Sequence, residues 1–158
     1  MCEYCGCQSL TPIDELTREH DMAVELIGDA RAAHRRGDVD AMADLARRIT
    51  ATLGPHTRVE EDGLFPALSG DFPEQMAALT AEHRVVEAVL NEADQGTPAD
   101  PTWPARLIGV LALLRRHMLK EQDGVFPAAL ASLSVTDWET IDAVRRQVGS
   151  VQPEVTTS

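Results

Sequence analysis

Two stretches of the chain place a glutamate four residues after a histidine: His56-x-x-x-Glu60 in "HTRVEEDGLFPAL" and His117-x-x-x-Glu121 in "HMLKEQDGVFPAAL". Four residues advance a helix by about 400°, so the imidazole and carboxylate of each pair share one face, one above the other. Two further histidines, His20 and His83, sit in a shared Thr-x-Glu-His pattern, within "TREHDMAVE" and "TAEHRVVEA". All four fall on apolar stripes with helical spacing. His20 follows Ile13 and Leu16 and precedes Ala23 and Ile27. His56 and Glu60 continue Met42, Leu45, Ile49 and Leu53 towards Leu64. His83 lies among Met76, Leu79, Val86 and Leu90, and His117 and Glu121 lie among Leu107, Val110, Leu114 and Val125. Such stripes face a core. Four imidazoles and two carboxylates therefore aim inward, where groups left without partners would each cost several kcal/mol.

A single histidine on an apolar face is ordinarily a core residue hydrogen-bonded to a neighbouring helix. Four at matched positions, two of them followed by glutamate, point instead to a metal site; separately hydrogen-bonded core histidines and a buried His-Glu network without metal are the alternatives. Six donors are too many for one tetrahedral zinc, and the set is too rich in nitrogen for calcium or magnesium. Six ligands shared by two ions, with Glu60 and Glu121 able to bridge, suit a pair of iron or manganese ions. The Glu-x-x-His of ferritin-like carboxylate sites is absent, because Thr17, Leu53, Thr80 and Leu114 stand three residues before the four histidines.

Helices must position these groups, and the sequence predicts four long ones. The first has Thr11 as N-cap, Pro12 in its first turn and Asp14 three residues after the cap, and it closes at Gly37. The second starts near Asp38 and runs towards Leu68, with Gly54-Pro55 expected to kink or interrupt it. The third has Asp71 as N-cap followed by Pro73 and Glu74, and continues to about Asp94. After the loop "QGTPADPTWP", a fourth runs from about Thr102 to Leu130, and a shorter fifth spans Val135–Val148 behind Ser134 and Asp137. The prolines that follow Phe65 and Phe126 are expected to end or bend their helices, and both phenylalanines to lie in the core. No segment alternates with period two for long enough to make a sheet. The expected fold is all-α: an antiparallel up-down-up-down four-helix bundle with a short C-terminal fifth helix, built from one helical hairpin used twice. The expected division is a Cys-rich N-terminal segment at 1–10, the bundle at 11–148 and a flexible tail at 149–158.

Composition bounds the rest. The 158 residues suffice for one domain with a core, and 44% hydrophobic with 25% charged content is that of a globular chain. A net charge of −12, from 26 acidic and 14 basic residues, repels phosphate backbones, so nucleic acid is not an expected partner. No apolar run is long enough to span a bilayer, and the N-terminus lacks the pattern of a secretory signal, so no membrane partner and a cytoplasmic location are expected. The oligomeric state is left open.

In order and spacing, His20…His56-x-x-x-Glu60…His83…His117-x-x-x-Glu121, with "EEDGLFPAL" after the second histidine, resembles the haemerythrin-like (HHE cation-binding) domain over about residues 11–130. The resemblance implies a four-helix bundle around two non-haem iron ions with an oxo or hydroxo bridge. It places His20 and His56 on one iron and His83 and His117 on the other, with Glu60 and Glu121 bridging. It also implies chemistry with a small oxidant (O2, H2O2 or NO), as an oxidoreductase in oxidative or nitrosative stress defence or as a binding or sensing protein without turnover. A zinc-containing structural bundle is the third alternative. Oxygen-carrying members add a histidine one turn after the third; here "HRVVE" has Glu87, either an additional ligand or a solvent-facing residue. Glu61 and Asp123 are expected beside the site or in solvent, and His34 on the surface. Tyr4 is a candidate further ligand. Cys2, Cys5 and Cys7 are candidate redox thiols, a metal-capturing cluster or simply free thiols.

Overall fold

Asp38 opens the second helix as its sequence suggests: its carboxylate accepts the Ala41 amide at 3.0 Å. The helix before it closes on Gly37, whose φ of 71° only glycine adopts without strain. There Gly37 N–H donates to His34 O and Asp38 N–H to Ala33 O, a Schellman closure. A computed structural model describes residues 7–149 of the chain, and side chains from residue 11 onward. It contains α1 (Cys7–Arg35), α2 (Val39–Val59), α3 (Phe65–Leu68), α4 (Pro73–Asn91), α5 (Trp103–Lys120), α6 (Phe126–Ser132) and α7 (Val135–Val148). No strand occurs among the described residues.

α1 packs on α2 and α5, and α4 on α2 and α5, which closes a four-rod ring of helices. α2 with α3, and α5 with α6, each form one rod through a π-helical turn, at Glu60–Leu64 and Glu121–Val125. α7 is capped by the reciprocal Ser134–Asp137 pair, as expected, and lies across α1, α2 and the first π turn.

Three local expectations are corrected. α1 begins before Thr11 and runs through Pro12, so Thr11 is not its N-cap. The proline removes only one backbone bond, close to the helix start, and the chain before it stays helical. Of the kink or interruption expected at Gly54-Pro55, the interruption does not occur: α2 is continuous, and its buried face of Ile49, Thr52, His56 and Val59 continues past Pro55. Asp71 does not cap α4; Phe72 occupies that position with no side-chain hydrogen bond, and Pro73 starts the helix.

The irregularity falls instead before Pro66 and Pro127. A proline cannot donate to the carbonyl four residues back, and its ring crowds that carbonyl. The chain widens by one residue per turn, so Phe65 N–H reaches Glu60 O and Phe126 N–H reaches Glu121 O. The widening changes the helical phase, so Glu60 faces inward together with Leu64, Phe65 and Leu68.

The repeat is not symmetric outside the ring. A Cβ on Gly63 would lie 3.2 Å from the backbone Cα of Ile141 in α7, whereas one on Gly124 would meet nothing within 4 Å. The face around Gly124 is instead an apolar groove of about 390 Å3 lined by Leu68, Phe72, Met76, Leu79 and Val125. Gly63→Ala is therefore expected to push α7 outward and cost about 1 kcal/mol, at the low end for overpacking. Gly124→Ala is expected to be neutral or slightly stabilising, since alanine favours helix. Thermal unfolding of the two variants side by side checks this.

Candidate metal centre

The apolar interior is split in two. One cluster packs Ala23, Ile27, Ile49, Leu107 and Leu111 around the fully buried Trp103, whose indole donates to Val89 O at 3.0 Å. The other packs Leu16, Leu64, Phe65, Phe126 and Ile141 at the opposite end. Between them lies a polar layer. His20 comes from α1, His56 from α2, His83 from α4 and His117 from α5, while Glu60 and Glu121 open the two π turns. Their exposures run from 0 to 7%.

The six residues form two overlapping groups: His20, His56, Glu60 and Glu121, and His83, His117, Glu60 and Glu121. Within each, one nitrogen or carboxylate oxygen per residue lies within 4.8 Å of the others. Both carboxylates belong to both groups. All four Nε2 atoms face them: His20 to Glu121 at 3.0 Å, His117 to Glu121 at 3.4 Å, His83 to Glu60 at 3.2 Å and His56 to Glu60 at 3.4 Å. The imidazoles pair the same way, with ring centroids 4.8 Å apart for His20–His56 and 4.6 Å for His83–His117.

An outer ring of carboxylates holds three of these imidazoles. His56 Nδ1 lies 3.1 Å from Glu19, His83 Nδ1 2.6 Å from Glu61 and His117 Nδ1 3.1 Å from Glu82. A carboxylate behind a ring nitrogen fixes the tautomer and turns the other nitrogen inward, as metal-binding histidines require. Glu19 is in turn gripped by Arg145 of α7, through two bonds of 2.9 and 2.7 Å. Glu82 takes Lys120 from the surface. Phe65 stacks on His83 and Phe126 on His20, with interplanar angles of 14° and 17°.

The buried imidazoles and carboxylates of the layer shift one another's protonation. Burial and the neighbouring His56 charge push His20 down to about 3. Burial also opposes the charged form of His56, but Glu60 and Glu19 outweigh it and raise His56 to about 9. Burial and the Glu60 charge hold Glu121 well above the usual carboxylate range, while the His56 charge overcomes burial and holds Glu60 well below it. Both Glu60 oxygens, the second Glu121 oxygen and His117 Nε2 still make no hydrogen bond of good geometry. Buried orphans of this kind cost about 1–3 kcal/mol each, and more when charged. A donor set of four nitrogens and two carboxylates with unused inward lone pairs fits a cation pair.

A pH dependence follows. A histidine raised in the fold stabilises it fully below the unfolded value and loses that contribution as pH rises through the folded one. The metal-free protein is therefore expected to lose thermal stability from about pH 6.5 towards pH 9 as His56 gives up its proton, with Glu121 acting in the same direction. Cation uptake at neutral pH must expel the same protons. Indicator-dye measurements in weak buffer should detect at least one proton released per chain; none would contradict the arrangement.

Other candidates fall elsewhere. Glu87 belongs to neither group; it is 40% exposed and accepts Arg84 at 2.5 Å on the surface of α4. Glu61, expected near the site or in solvent, is held between His83 and Arg84. Asp123 and His34 are exposed. Cys2, Tyr4 and Cys5 lie outside the described residues, as does the thiol of Cys7, whose backbone begins α1. Sequence reasoning missed Glu19, Glu82 and Arg145. The signal for the first two was present, since each is the glutamate of a Thr-x-Glu-His copy; Arg145 left none.

Compared with known protein families, residues 11–129 match the one described as Hemerythrin HHE cation binding domain. No curated protein and no solved structure matches the chain at a significant level.

Proposed function

The chain belongs to the hemerythrin HHE cation-binding family, and on that premise we propose that it is a non-haem di-iron protein that reacts with or binds a small oxidant: O2, H2O2 or NO. The setting we propose is oxidative or nitrosative stress defence. In this reading His20 and His56 would hold one ion and His83 and His117 the other, with Glu60 and Glu121 available to both. The observation that carries it is the sharing of two carboxylates between two histidine pairs. Bound iron would supply Lewis acidity and one-electron redox capacity.

The chain's own residues do the remaining work. Glu19, Glu61 and Glu82 keep the imidazoles in the inward-facing tautomer. Phe65 and Phe126 cover one end of the layer and exclude water. A cavity of about 140 Å3 between α2 and α4 runs beside Gly54, Thr57, Glu87 and Leu114 to His83. That volume admits molecules of a few atoms, whereas sites for larger ligands run to about 300–1,000 Å3. The site therefore favours diatomics and peroxide over organic substrates.

Metal analysis with a near-ultraviolet and visible spectrum of the purified protein tests the reading. Two irons per chain with oxygen-to-iron charge-transfer bands are expected; one zinc and no colour would overturn it. Consumption of H2O2 or NO by the iron-loaded protein would separate turnover from binding alone.

A further inference from the structure

The two halves of the cage differ at one repeated position. Glu60-Glu61-Asp62-Gly63 returns as Glu121-Gln122-Asp123-Gly124. Glu61 places a carboxylate oxygen 2.6 Å from His83 Nδ1. Its counterpart Gln122 meets His20 only through a neutral amide, and His20 Nδ1 makes no hydrogen bond of good geometry. The pair His83–His117 is thus backed by two carboxylates, Glu61 and Glu82, whereas the pair His20–His56 is backed by one, Glu19.

The cations on those carboxylates widen the gap. Arg145, 5% exposed, neutralises Glu19 through two bonds in the interior. Arg84 and Lys120, which meet Glu61 and Glu82, are each 54% exposed and screened by solvent. A carboxylate behind an imidazole makes the opposite nitrogen a stronger donor, and losing one such partner costs about 10–100-fold in metal affinity.

We propose that the two metal positions are unequal because Gln122 stands where the repeat has Glu61, and that a divalent metal fills the His83–His117 position first and leaves the His20–His56 position first. This rests on the reading of the six residues as ligands. The exchangeable ion would then be the one next to α7.

Repulsion between two ions separates the binding steps in any paired site, so the test is which step each substitution moves. The metal-free full chain is titrated with Co2+ and followed by calorimetry and visible absorption, as wild type, Gln122→Glu and Glu61→Gln. The expected result is two steps in the wild type, with Gln122→Glu tightening the second by about 10-fold and Glu61→Gln weakening the first by a similar factor. Gln122→Glu tightening the first step, or neither substitution moving its assigned step, would overturn the order of filling while leaving the ligand set intact. Uptake of fewer than two ions by the wild type would overturn the ligand reading itself, and the order with it.

Discussion

Glu60→Ala and Glu121→Ala are each expected to lose at least one of the two proposed metal ions, and the metal-loaded proteins to unfold at markedly lower temperature. Each carboxylate serves both groups, so its loss leaves two sites with three donors, whereas a histidine substitution injures only one. A bound cation stabilises the fold by mass action, about 2.7 kcal/mol at a free concentration 100-fold above its Kd, and that contribution disappears with the site. The two variants should differ once the metal is chelated away. Glu60 is the main partner of the charged His56, so its removal should destabilise the metal-free protein as well. Glu121 is already held towards its neutral form by burial and by Glu60, so Glu121→Ala should cost the metal-free protein much less. Glu87→Ala, at the surface, is the control expected to keep full metal content. Metal per chain and melting with and without chelator decide it. If both variants keep full metal and stability, the bridging assignment is wrong.

These groups were legible before any coordinates because the signal is periodic and written twice. A histidine and a glutamate four apart on an apolar stripe have one place to point, and repetition on two hairpins places them opposite each other. What lay beyond the sequence reading involves geometry that a helical period of 3.6 does not contain. The π turns shift the phase after Glu60 and Glu121, and they lie just before prolines that a local reading takes as helix ends or bends. Contacts also cross between hairpins. Glu60, Glu61 and Phe65 from the first reach His83 in the second, and Glu121 and Phe126 reach back to His20. Each repeated motif thus completes the surroundings of the other hairpin's lone histidine, which spacing within one hairpin does not reveal. Capping failed at Asp71 because the chain entered α4 one residue later, with Pro73 already setting its first turn.

The helix outside the ring supplies the other large effect. Arg145→Met is expected to destabilise the protein by about 3–5 kcal/mol, the usual range for stripping a buried charge of its partner. Glu19 is fully buried and depends on Arg145 for two of its bonds, while the Arg145 Nε also meets Glu15 at 3.0 Å. Without the guanidinium, Glu19 keeps only His56, and burial works against its charge. For a domain of this size the loss corresponds to a fall in Tm of roughly 10 °C. Lys120→Met removes the corresponding cation from Glu82, but that pair is open to solvent and should cost less than about 1 kcal/mol. Charge burial, not lost packing, is the cause if Glu19→Gln in the same chain recovers most of the stability lost in Arg145→Met. Equal, mild effects of Arg145→Met and Lys120→Met would instead reduce α7 to a lid over Gly63, with no hold on the metal layer.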